Sequence, residues 1–177
     1  MSQEIRTINL GGVNCYLVNT DQGYILIDTG FLSKRAKLEQ ELEAAGCRPD
    51  NLNLIILTHG DSDHADNAAY LRQKYGAKIA LHATDVGMVE HGDMSWNRQA
   101  KPDKVNFVFR LMMSLTSLFA KNNQFQTFTP DFTIDEGFDF SEYGFNAKVL
   151  HLPGHSKGSI GIESDCLNFC WIGRRAL

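Results

Sequence analysis

Apolar positions along the chain follow two periods. In the first thirty residues they form short runs separated by glycine or polar turns. Ile5–Leu10, Asn14–Asn19 and "GYILIDTG" at 23–30 are rich in apolar and β-branched residues and read as strands, with Gly11-Gly12 and Asp21-Gln22-Gly23 as the turns. The spacing then lengthens to that of a helix. Ser33 reads as its N-cap, Leu38 and Leu42 share one face, Gly46 stops it and Pro49 lies beyond. "LNLIILT" at 52–58 is continuously apolar, the mark of a strand buried on both faces. A polar turn follows, then a helix over Asp66–Tyr75 closed by Gly76, then the strand "KIALH".

This β-β-β-α-β-α-β order predicts helices layered on a sheet. Residues 84 to about 130 break the rhythm with a polar stretch, Glu90–Asp103, and a predicted helix, Asp103–Lys121. Phe107, Val108, Leu111, Met112, Leu115, Leu118 and Phe119 cover much of that helix's circumference, so it seeks partners on more than one side, as a core helix, a lid or a subunit contact. Strands return at "DFTI", "FDF", "AKVLHL", "SIGIE" and "LNFCWIG". One domain with a mainly helical insertion at about 84–130 accounts for the whole chain.

Composition narrows the function classes. With 177 residues, 43% hydrophobic and 21% charged, the chain can bury a core without disulfides. A net charge of −4 gives no general attraction to a phosphate backbone, so nucleic acid is not expected as a partner. The N-terminus shows no basic region followed by an apolar run, and Val105–Phe119 is too interrupted to cross a bilayer. Neither export nor a membrane is expected, and the cytoplasm is the expected location. The scattered Cys15, Cys47, Cys166 and Cys170 read as reduced structural thiols.

The chemistry is concentrated in "LTHGDSDHADN" at 57–67. In an extended segment alternate residues point the same way, so His59 and Asp61 can converge on one ion. Asp63 and His64 sit where a tightening loop can turn them toward a second. Imidazole and carboxylate suit Zn²⁺, and also Fe²⁺ or Mn²⁺. Asp, Ser and Gly favour turns by themselves, but two histidines flanking two acids behind a buried strand point beyond a plain turn. In "HLPGHSKGSIGI" a Pro-Gly turn holds His155 just past a strand end, well placed to complete a metal site.

"LIDTG", "THGDSDH" and "LPGHSKGS", in that order, resemble the metallo-β-lactamase superfamily over residues 5 to about 173. The resemblance implies an α/β fold, a four-layer αββα sandwich with metals at one edge of its paired sheets. The family's H-x-H-x-D-H motif carries Asp61 at its second histidine, a change of ligand type that argues against a close match to the glyoxalase II-like thioesterases. By resemblance His59, Asp61 and His155 form the first metal site, while Asp63 and His64 begin the second. Asp28 becomes the buried acid that props the metal loop, with a strand-end cap as its alternative role.

Where the family places a "GD" whose aspartate bridges both metals, this chain reads "WIGRRAL". Gly173 matches the glycine, Arg174 stands at the acid, and no final histidine follows. An arginine cannot ligate and repels a nearby cation. One well-held zinc and a weak second site are therefore expected. A fold shortened at its C-terminus would leave an open sheet edge, which favours a homodimer.

The resemblance implies a hydrolase using a metal-activated water on a small ester, thioester, lactone or phosphodiester, with Asp63 as the catalytic residue that orients the water and accepts its proton. An antibiotic-degrading lactamase is disfavoured by the lack of an export signal. The insertion at 84–121 is where specificity would reside, with His82 and His91 as structural or surface residues. Lys157 or Arg174 could meet an anionic group. The competing expectation is a non-catalytic metal-binding or scaffold protein that has lost the bridging acid.

Overall fold

Alternation along paired strands sends side chains to two faces of one sheet, and each face has its own core. The computed structural model describes residues 3–96 and 126–164. The predicted helix 103–121, the strand "LNFCWIG", Cys166, Cys170, Gly173 and Arg174 lie outside the described residues.

Strands β1 (Glu4–Asn9), β2 (Asn14–Thr20), β3 (Gly23–Ile27), β4 (Leu52–Ile56), β5 (Lys78–His82) and β6 (Phe132–Ile134) form a six-stranded sheet in chain order. β1, β2 and β3 pair antiparallel, while β3 through β6 run parallel. The parallel connections carry helices α1 (Arg35–Ala44), α2 (Ser62–Ala65), α3 (Ala68–Tyr75) and α4 (Val86–His91). Strands β7 (Ala147–His151) and β8 (Ile160–Ser164) make a separate antiparallel pair.

The continuously apolar β4 shows how the layers arise. Leu52, Ile55 and Leu57 pack with Leu38 and Leu42 of α1 and Leu71 and Tyr75 of α3. Leu54 and Ile56 join the opposite core with Val149, Ile160 and Ile162 of the second sheet. Full burial of such side chains contributes about 1.5–3 kcal/mol each, so both faces hold the strand in register. Among the described residues the layers run helix, six-stranded sheet, two-stranded sheet. These are three of the four layers of the α/β sandwich that the resemblance implies.

Three local expectations are corrected. Ser33 does not cap α1: Leu32–Lys34 form a 3₁₀ turn, and the Leu32 amide donates to Asp66 Oδ2 at 2.9 Å, so the cap comes from a distant loop. The segment "FDF" is not a strand. Asp139 Oδ1 accepts the Ser141 amide at 2.8 Å, turning the chain into a 3₁₀ turn while Phe140 still fills the inter-sheet core. The helix expected from Asp66 begins at Ala68, behind the separate short helix α2.

Among the described residues no helix is long and apolar enough to cross a membrane. Cys15 and Cys47 are free, buried thiols.

Candidate metal centre

Parallel strands deliver their loops to one edge of a sheet, and two such loops meet the β7–β8 connection of the second sheet here. The loop after β3 is tied to its neighbours by Asp28 N–H to Ile56 O at 2.9 Å and Thr29 N–H to His64 O at 2.7 Å. The loop after β4 carries residues 58–64. The start of β8, where the β7–β8 connection ends, joins it through Ile160 N–H to Thr58 O at 2.9 Å. That bond brings His155 to Asp61, 94 positions away in sequence.

The side chains at this edge form two overlapping groups, His59–Asp61–His155 and His59–Asp63–His64. His155 Nε2 lies 2.7 Å from Asp61 Oδ2, and His59 Nε2 lies 3.6 Å from the same oxygen. The His59 and His155 rings meet edge-on at 88°, with centroids 4.8 Å apart. Asp63 Oδ2 lies 3.6 Å from His64 Nε2. His59, Asp61 and His64 are buried, whereas His155 is 46% and Asp63 34% exposed, so the centre opens on the side of those two residues. Asp61 is extended at φ −70°, ψ 150°, and α2 begins immediately after it. The extended part of the turn thus serves the first group and the helical part the second.

Beneath the ligand set lies Asp28, wholly buried. Its φ of 61° is in the left-handed region, a conformation Asp tolerates better than most residues. The carboxylate accepts the Thr58 amide at 2.9 Å and the Thr58 hydroxyl, and lies 2.8 Å from His64 Nδ1. Thr58 Oγ1 in turn lies 3.1 Å from His59 Nδ1. Both imidazoles are therefore held by Nδ1, leaving Nε2 as the outward donor. Burial works to lower the His64 pKa, but the charge and hydrogen bond of Asp28, aided by Asp63 and Asp61, outweigh it and raise the value. A cation entering there takes the place of that proton.

The donor set suits a metal. Around a tetrahedral zinc with bonds near 2.0–2.2 Å, neighbouring donors stand about 3.3 Å apart. The separations of 2.7 and 3.6 Å about Asp61 bracket that value. A further group, His82–Asp135–His151, behaves differently. Its imidazoles stack at 4.3 Å and only 12°, so their in-plane lone pairs run parallel and do not meet at one ion. His82 is a buried packing residue, with Nδ1 accepting the Thr84 amide at 3.2 Å.

Sequence reasoning missed three supports of this edge. Asn67, fully buried, donates through Nδ2 to the carbonyls of Thr29, Gly30 and Phe31 at 2.8, 3.1 and 3.0 Å. Thr58 links Asp28 to His59. Asp85, also fully buried, reaches both turns that carry the candidate ligands. No local signal marks Asp85. Thr58 and Asn67 stood inside the quoted stretch at 57–67 but carried no assigned role.

The model of the Metallo-beta-lactamase superfamily matches residues 8–170. Hydroxyacylglutathione hydrolase GloC of Haemophilus influenzae is 32% identical over 163 residues, covering 91% of this chain and 65% of that protein. Exodeoxyribonuclease WalJ of Streptococcus pneumoniae is 30% identical over 66 residues, which cover 37% of this chain and 24% of that protein. Among solved structures, the native FEZ-1 metallo-beta-lactamase from Legionella gormanii superposes with a TM-score of 0.70 at 19% identity, covering 91% of this chain and 55% of that one. The chain spans less than two thirds of the length of each of these relatives. Although Asp61 is expected to argue against a close match to the glyoxalase II-like thioesterases, the chain is similar at this 32% level to a protein named for hydroxyacylglutathione hydrolysis.

Proposed function

Because the chain belongs to the metallo-beta-lactamase superfamily, we propose that it is a metal-dependent hydrolase of a small ester or thioester, with a hydroxyacylglutathione as the first substrate to test. The observation that carries this reading is the approach of His59 Nε2 and His155 Nε2 to one oxygen of Asp61. Similarity to GloC over 91% of the chain supports the thioester, whereas similarity to the nuclease is confined to 66 residues.

His59, Asp61 and His155 would hold one ion, zinc first among the candidates and iron or manganese as the others. Asp63 and His64 would hold a second, more weakly. When bound, such an ion supplies Lewis-acid polarisation of the scissile carbonyl and lowers the pKa of a water. The protein's own groups do the positioning. Asp28 and Thr58 lock the Nδ1 sides of His64 and His59, so neither ring turns away from the mouth. Asp63, at the open side, orients the attacking water and accepts its proton.

The test is metal content by elemental analysis of the purified protein and of His59→Ala, followed by thiol release from a hydroxyacylglutathione. About one equivalent of metal per chain, lost in His59→Ala together with thiol release, is expected from a three-ligand catalytic site. Hydrolysis of a phosphodiester but no thioester would move the substrate class. Absence of metal after reconstitution would leave the non-catalytic scaffold.

A further inference from the structure

The two turns that bring His155 to Asp61 are separate loops; besides the Ile160–Thr58 and His155–Asp61 contacts, they are bridged by one carboxylate from a third loop. Asp85 ends the 3₁₀ turn Ala83–Asp85 after β5 and is wholly buried. Its Oδ2 accepts the Gly60 amide at 3.2 Å and the Ser156 hydroxyl at 2.5 Å, while Oδ1 accepts the Gly158 amide at 2.8 Å. Gly60 lies between the candidate ligands His59 and Asp61, and Ser156 adjoins His155. One anion from a third loop thus takes donors from both sides of the centre without being placed as a ligand.

Two glycines make the approach this close. A Cβ at Gly158 would lie 2.6 Å from Asp85 Cγ and Oδ1, and one at Gly60 would lie 2.8 Å from Met88 Cβ. The Ser156 hydroxyl is aimed by its own turn, because Ser159 Oγ accepts the Ser156 amide at 3.0 Å. The His155 side chain itself is 46% exposed and rests on a Pro-Gly turn, so packing over the ring does little to fix it. Its register against Asp61 comes from the buried end of the turn.

We infer that Asp85 is a positioning residue that sets the His155 turn against the His59–Asp61 turn and so fixes the ligand geometry of the first metal site. The inference rests on the metal-centre reading of that edge. Charge is what the role demands. Donors face both carboxylate oxygens, and an asparagine in either orientation turns an NH₂ toward at least one N–H donor.

Titration of the metal-free protein with Co²⁺, read by visible absorption, tests this in wild type, Asp85→Asn, His155→Ala and the double variant. Asp85→Asn is expected to weaken Co²⁺ binding by about 10- to 100-fold, as loss of an outer support of a ligand does, and to change the intensity of the cobalt bands. In the His155→Ala background the same substitution should have little further effect, because Asp85 acts through that ligand. A merely structural role would lower the melting temperature and leave the spectrum of the bound ion and the coupling unmoved. Unchanged affinity and bands in a folded Asp85→Asn, or equal losses in both backgrounds, would overturn the inference. If Asp85→Asn does not fold, Ser156→Ala decides: a loss of Co²⁺ affinity of threefold or more supports the role, and unaltered affinity refutes it. Failure of the wild type to bind Co²⁺ would sink the metal centre itself, a separate result from an insensitive Asp85 variant.

Discussion

Replacing Asp28 with asparagine removes a charge and turns one acceptor oxygen into an NH₂ donor while keeping shape and backbone freedom. Asn tolerates the left-handed φ of 61° as Asp does, so strain at that position is unaltered. The carboxylate takes the Thr58 amide and hydroxyl and holds His64 Nδ1. An amide cannot serve both neighbours. With its oxygen toward Thr58 N–H, the NH₂ faces His64 and forces the ring to carry its proton on Nε2, the atom offered to a metal. Turned the other way, the NH₂ opposes the Thr58 amide. Hydrogen bonds to a charged group are worth about 1.5–3 kcal/mol each, so losing one and weakening another should cost about 2–4 kcal/mol. For a chain of this size that amounts to a fall of about 4–16 °C in melting temperature. Thermal unfolding of the metal-free protein by circular dichroism measures it. Asp28→Ala should cost about 1 kcal/mol or more beyond this, because alanine is strained at positive φ. A melting temperature for Asp28→Asn within about 2 °C of wild type would refute the claim that Asp28 ties the loops together.

Other consequences are open to direct measurement. Gly158→Ala drives a methyl into Asp85 and should destabilise the protein by about 1–3 kcal/mol in urea unfolding; a neutral result would show that the turns can separate without cost. Burial pushes the Cys47 thiol up to about 12, and burial followed by the charge of Asp28 raises Cys15, so peptide mapping after iodoacetamide treatment at pH 8 should find both unmodified until the protein is unfolded. Burial alone would raise the Glu39 carboxyl, but hydrogen bonds from Lys74 and Tyr70 prevail and hold it below the ordinary glutamate value. Its depressed folded pKa means that the stabilisation is complete above the unfolded value and disappears as pH falls through the folded one. Glu39→Gln should therefore cost at most about 1 kcal/mol near neutrality and nothing in acid, and an equal cost at both pH values would contradict the assignment.

The layers and much of the metal edge could be read from local pattern. Leu52, Leu54, Ile55 and Ile56 announce a strand buried on both faces, and the structure gives each face its own core. Errors arose where one local signal met a stronger competitor, near or distant. Ser33 has the chemistry of an N-cap, yet Asp66 answers the Leu32 amide from another loop. Phe138 and Phe140 alternate like strand residues, but Asp139 turns the backbone at Ser141 first.

By itself the sequence determined which residues are candidates for the metal site and where each begins its approach. The spacing of His59, Asp61, Asp63 and His64 within one turn is a local property, as is the Pro-Gly turn that presents His155. Only the tertiary structure decided how these pieces meet. Asp61 and His155 are 94 residues apart, and Asp85 reaches Gly60, Ser156 and Gly158 across 25, 71 and 73. Such contacts depend on the parallel order of β3, β4 and β5 and on the second sheet packing against the first. A buried carboxylate finds its donors only after that assembly exists, and nothing adjacent to Asp85 in the chain announces them.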